Sequence, residues 1–241
     1  MTRTYRDLAA AGIVAAALAL AATPAGAAPL TPAAMQPLAK YLIADRNAEI
    51  ALAKSAAPPS ISADATVLVL GPKGYETAVK GKNGFTCIVE RSWTSPFDAT
   101  WFWDPAIRAP ICYNAPAARS VLTYTYLRTD WALAGWSHDK MQAEMTAQAA
   151  KKALATPEPG AMSYMLSRQQ RLTDAPGPWK PHMMFHVPMA QAQAWGANLP
   201  GSPIMLDTDH KPGPEPESVF MMAATAWSDG TPAPAPAAHA H

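Results

Sequence analysis

Residues 66–93 read TVLVLGPKGYETAVKGKNGFTCIVERSW. Three short runs in it, Thr66 to Leu70, Tyr75 to Val79 and Phe85 to Glu90, are rich in β-branched and aromatic residues and predict three strands. Gly71-Pro72-Lys73-Gly74 supplies the first reversal, and Asn83-Gly84, a pair that tolerates positive φ, supplies the second. Consecutive strands joined by tight turns predict a β-meander. Period two puts Tyr75, Thr77 and Val79 on one face of their strand and Phe85, Cys87 and Val89 on one face of the next.

Downstream, residues 93–136 hold ten of the chain's twenty aromatic residues. Trp101, Trp103, Trp131 and Trp136 are the candidates for lining a ligand cleft, because tryptophan offers an apolar face with a polar handle. Core packing is the weightier reading, since Pro96, Pro105, Pro110 and Pro116 predict an irregular loop that large side chains must anchor. Asn114 and Pro116 then cap a helix over residues 117–134, ended by Gly135, and Ser137 caps another over residues 138–154. Strands are expected again at residues 161–166, 182–187, 203–206 and 219–227, between turns rich in proline and glycine. From Thr231 the sequence TPAPAPAAHAH is a low-complexity tail too poor in apolar residues to order itself.

Upstream, Thr31-Pro32 and the alanine- and leucine-rich residues 38–57 predict a first helix that Pro58-Pro59 stops. Before it, Arg3 and Arg6 form a positive head, Leu8 to Ala22 an apolar run too short to span a bilayer with flanks, and Ala25-Gly26-Ala27 a cleavage site. Residues 1–27 therefore read as a signal peptide, residues 28–230 as one domain, and the destination as periplasmic or secreted. Cleavage removes Arg3, Arg6 and Asp7, leaving 17 basic and 17 acidic residues. A chain without net positive charge has little to offer a phosphate backbone, so nucleic acid is not expected as a partner. No later apolar run approaches bilayer length, so no stable membrane insertion is expected after cleavage. Cys87 and Cys112 are the only cysteines. In an oxidising compartment they are expected to pair; the alternative, a thiolate nucleophile at Cys87, requires a base that the sequence does not place.

With GYETAVKGKNGFTCIVERSW and PEPGAMSYMLS in view, most of the mature chain resembles a group of exported bacterial proteins with no assigned activity. That resemblance implies export, and no fold, substrate or catalytic residue.

The most chemical stretch is Pro181-His182-Met183-Met184-Phe185-His186-Val187-Pro188-Met189. As a strand it presents His182, Met184 and His186 on one face, an imidazole and thioether set suited to copper. The plain alternative is an edge strand with a half-solvated face, because ligands on one strand lie about 7 Å apart from i to i+2. Asp207, Asp209 and His210 form a further set on a proline-rich loop, and His239 and His241 can chelate weakly from the tail. For acid–base work, His182 or His186 with Glu90 or Asp104 are the candidates by residue type alone. No GxSxG, HExxH, P-loop, GxGxxG, CxxCH or EF-hand pattern occurs. The expectation is thus an α+β domain with a mostly antiparallel sheet and helices on one face. Functionally the expectation is a binding or structural protein for an unidentified small molecule or protein, with no cofactor; the alternatives are a periplasmic protein that binds copper or another metal, and a hydrolase without a motif.

Overall fold

The computed structural model describes residues 34–206 and 210–234. Residues 1–27, read from the sequence as a signal peptide, and Asp207, Asp209, His239 and His241 lie outside the described residues. The fold is α+β, built on an eight-stranded, mostly antiparallel sheet of order β2-β1-β3-β4-β5-β6-β8-β7. The strands are β1 Thr66–Gly71, β2 Gly74–Val79, β3 Thr86–Glu90, β4 Ala109–Tyr113, β5 Met162–Met165, β6 His182–Pro188, β7 Ile204–Leu206 and β8 Glu217–Ala223. The helices are α1 Arg46–Lys54, α2 Pro59–Ser62, α3 Ala115–Arg119, α4 Leu122–Leu133 and α5 His138–Ala150. No helix among the described residues is long and apolar enough to cross a membrane.

The first three strands form where the sequence puts them, but they are not a meander. β1 and β2 make an antiparallel hairpin, and β3 then crosses to the far side of β1 and pairs with it in parallel. The crossing link packs on the chain leading into β1. Lys82 N–H donates to the Asp64 carbonyl at 2.9 Å, Asn83 Nδ2 to the Ile61 carbonyl at 2.7 Å, and Thr66 N–H to the Phe85 carbonyl at 2.8 Å. Gly81 is required in this approach: a Cβ built there would overlap the Thr66 amide nitrogen and the Ala65 carbonyl carbon. Asn83-Gly84 therefore turns within a crossover rather than closing a second hairpin.

Helices cover both faces of the sheet, not one. The reason is in β3 and β4, where successive residues are apolar on both sides instead of alternating with polar ones. Cys87, Val89 and Cys112 face α1 together with Val67 and Ala53. Ile88 and Ile111 face the larger core, where Trp93, Leu122, Trp131, Met141 and Met145 bring in α4 and α5. Full burial of each such side chain contributes about 1.5–3 kcal/mol.

The single first helix is replaced by a 3-10 turn at Leu38–Lys40 and a shorter α1. Asp45 caps α1 by accepting from the Asn47 and Ala48 amides. Pro59 does not end helical structure but opens α2 at a position where no N–H is needed. The helix expected over residues 117–134 is two, broken at Ser120–Val121 where the Ser120 hydroxyl donates to the Pro116 carbonyl. β4, inside the stretch read as an aromatic loop, is an additional strand. Its Pro110 is tolerated because β5 pairs only with Cys112 and Tyr113, so the missing N–H falls beyond that ladder. β6 is an interior strand between β5 and β8, not an edge. The first residues of the tail fold back: Ala226 bridges Pro232, and Ala233 N–H donates to the Thr225 carbonyl.

Cys87 and Cys112 are directly opposed across β3 and β4 and form a fully buried disulfide. They are separated by 25 positions, a loop whose closure contributes about 3 kcal/mol in the chain-entropy account.

Gly81→Ala tests the crossover. Its urea unfolding is expected to show a loss of about 1–3 kcal/mol from forced repacking. An unchanged midpoint would mean that the link runs clear of the chain before β1.

Candidate functional site

The face of the sheet under α4 carries a buried polar seam. Glu90 shares the side of β3 with Ile88 and so points into the core beneath α4. Its Oε1 accepts from the Tyr113 hydroxyl at 2.7 Å and the Thr125 hydroxyl at 2.5 Å, and its Oε2 from Thr94 at 3.3 Å. Burial pushes the Glu90 carboxyl up from its ordinary range even though these three donors pull it back. Burial, reinforced by the Glu90 charge, pushes the Tyr113 phenol up as well.

Beside it, the Tyr113 ring lies 6.2 Å from that of His186. Neighbouring strands give His186 two partners: its Nε2 is 2.9 Å from the Ser163 hydroxyl on β5, and its Nδ1 is 3.3 Å from Glu217 Oε2 on β8. With the Nδ1 proton donated to Glu217, Nε2 is left to accept the Ser163 O–H, the order of a nucleophile, base and orienting acid. Ser163 has no exposed surface and His186 almost none. Arg128 on α4 closes the seam: its guanidinium donates to Glu215 at 3.0 Å and to the Ser95 carbonyl at 2.7 Å, and stands 4.0 Å over the Phe97 ring.

His182, Met184 and His186 do lie on one face of β6, but as separate environments. His182 is buried, its Nδ1–H donates to the Lys180 carbonyl at 2.9 Å, and its ring meets Trp179 edge-on at 4.5 Å. Desolvation pushes its pKa down to about 4. Met184 sits between Ser163 and Met221 in the ladder. Both nitrogens of His186 are engaged, so it offers no lone pair to a metal shared with His182. The carboxylate beside His186 is Glu217, a residue the sequence did not single out; Glu90 reaches that histidine only through Tyr113. Asp104 instead pairs with Arg171 at 3.4 Å. His210 pairs with Asp98 at 3.0 Å and meets Trp101 edge-on at 5.5 Å.

Of the four tryptophans, Trp103 and Trp136 line one open groove of about 830 Å³, with Met35, Leu38, Leu133 and His138. A smaller depression of about 330 Å³ adjoins it across Gln36 and Trp103 and carries Lys40, Thr100 and Asp104. Trp131 lies behind the groove, stacked on Trp136 with centroids 5.3 Å apart, and the Lys140 ammonium stands 3.7 Å from the Trp136 ring centroid. Trp101 is with His210 and lines neither depression. The groove was signalled in the sequence by aromatic density, but the contribution of Met35 and Leu38 had no local sign.

Comparison of the chain with protein-family models, with curated proteins and with solved structures finds no match.

His182 gives a pH test. A histidine whose folded pKa lies below its unfolded value near 6.5 contributes stability above pH 6.5 that is lost as pH falls toward 4. Between pH 7 and pH 4 the wild type is expected to lose about 3 kcal/mol more unfolding free energy than His182→Gln. Parallel pH profiles would place the His182 ring in contact with water.

Proposed function

We propose that the protein is an exported binding protein whose ligand seat is the groove between residues 34–38 and the end of α4. The observation that carries this reading is the composition and openness of that groove: Met35, Leu38, Trp103 and Leu133 make it apolar, while Ser137, His138 and Asp139 rim one end. Such a site suits a small, largely apolar ligand with one polar end. A stacked sugar suits it less, because the faces of Trp136 are taken by Trp131 and Lys140. The disulfide is what an oxidising compartment favours, and it supports export.

The test is titration with the apolar fluorophore 8-anilinonaphthalene-1-sulfonate. Saturable enhancement is expected in the wild type, weakened about tenfold or more, a loss of at least ~1.4 kcal/mol, in Leu133→Glu at unchanged melting temperature. No saturable binding, or equal binding by the variant, would remove the groove as the seat.

A second reading, hydrolysis at Ser163, is favoured by the Ser163–His186–Glu217 hydrogen bonds. Complete burial of Ser163 ranks it lower, since a nucleophile must reach the substrate carbonyl. A small fluorophosphonate is accordingly expected to leave the folded protein unlabelled. Labelling that disappears in Ser163→Ala would reverse the ranking.

A further inference from the structure

The sheet assembles a set of methionines that lie far apart in the chain. On the face shared with His182 and Ser163, Met205 of β7 stands directly opposite Met221 of β8, and Met221 directly opposite Met184 of β6. The three thioethers thus form one rung across three adjacent strands, each partly exposed. The opposite face has no such rung: its matching row is Ile204, Met222 and Met183.

A rung satisfies the geometry that a single strand does not. Residues i and i+2 along β6 are about 7 Å apart, whereas neighbouring strands are separated by about 4.8 Å. A methionine sulfur stands two bonds beyond Cβ on a side chain with several rotatable bonds. The outer two, leaning inward, each cover about half of that spacing and leave about 2.3 Å to a point above Met221, a metal–sulfur bond length. Three thioethers without a charged ligand favour a soft monovalent ion over a hard or divalent one.

We propose that Met184, Met205 and Met221 bind one Cu(I) ion on this face. His182 lies on the same face two residues along β6, where the Lys180 carbonyl holds its Nδ1–H; at about 7 Å along the strand it stands beside the rung and is not one of the ion's ligands. The ordinary role of such methionines is to fill the irregular junction between β6, β8 and the short edge strand β7, and leucine would serve that role equally well.

The test follows from that equivalence. Cu(I) is titrated anaerobically, against bathocuproine disulfonate as competitor, into the disulfide-intact protein and into a form ending at Pro234, which lacks His239 and His241. One equivalent is expected to bind with sub-micromolar affinity in both forms, with sulfur scatterers in the copper X-ray absorption spectrum. Met184→Leu, Met205→Leu and Met221→Leu, which keep the apolar volume, are each expected to lose about a hundredfold in affinity without change in melting temperature, while Met222→Leu on the other face loses nothing. Affinity below that of the competitor, wild-type affinity retained in the three rung variants, or binding that vanishes with the tail would overturn the site.

Discussion

The Arg91 guanidinium and the Glu49 carboxylate meet at 2.8 Å with both side chains withdrawn from water, and much of the molecule is arranged around keeping them satisfied. Arg91 Nε also donates to the Tyr41 carbonyl at 2.7 Å, and Nη1 to the carbonyl of Val89. Glu49 Oε1 in turn accepts the Leu70 amide at 3.1 Å. One charge pair therefore fastens α1, the chain before it, the end of β1 and the exit of β3. Removing either partner leaves a buried charge uncompensated, at a cost of about 3–5 kcal/mol. From there the constraint passes to the groove: the Tyr41 hydroxyl donates to the Trp103 carbonyl at 2.7 Å and accepts the Gln36 amide at 3.1 Å.

α4 connects the groove with the interior. Its middle supplies Thr125 and Arg128 to the seam, and its last turn supplies Leu133 to the groove wall. The seam is costly unless every member is paired, since a lone buried carboxylate or imidazole is strongly disfavoured. Glu90, Tyr113, Ser163, His186, Arg128 and Glu215 all have partners at hydrogen-bond distance, which fixes the register of β3, β4, β5, β6 and the chain entering β8 against one another. That structural role accounts for the seam without chemistry at Ser163, in keeping with the burial of its hydroxyl.

Two apolar faces on β3 and β4 dictate a sheet covered on both sides. α1 and the turn that follows it take one side with small residues, Ala53, Ala56 and Ala57, which pack in one cluster with the disulfide. The other side takes the bulky rings of the 93–136 stretch. At the β7 end the methionines of β6, β7 and β8 share the faces of the sheet with Phe185 and Phe220. Flexible thioethers suit such a margin, where packing is irregular and solvent is near.

The sequence alone determined whatever depends on residues close together in the chain. The Asn114 and Ser137 caps, the stop at Gly135, the hairpin turn at Gly74 and the alternation that puts His182, Met184 and His186 on one face all follow from local backbone preferences and a fixed period. The pairing of the cysteines was an expectation from export and from their number, and it is the register of β3 against β4 that sets Cys87 opposite Cys112. The tertiary structure decided where those segments meet. That β3 crosses β1 depends on Gly81 lying against Thr66. That β4 exists depends on β3 offering an open edge to a segment containing Pro110. That His186 finds Ser163 and Glu217, 23 and 31 positions away, and Met221 stands between Met184 and Met205, depends on strand register. Register is set by which pairing buries both faces and leaves no polar group without a partner, a condition on the whole sheet that no local stretch of sequence carries.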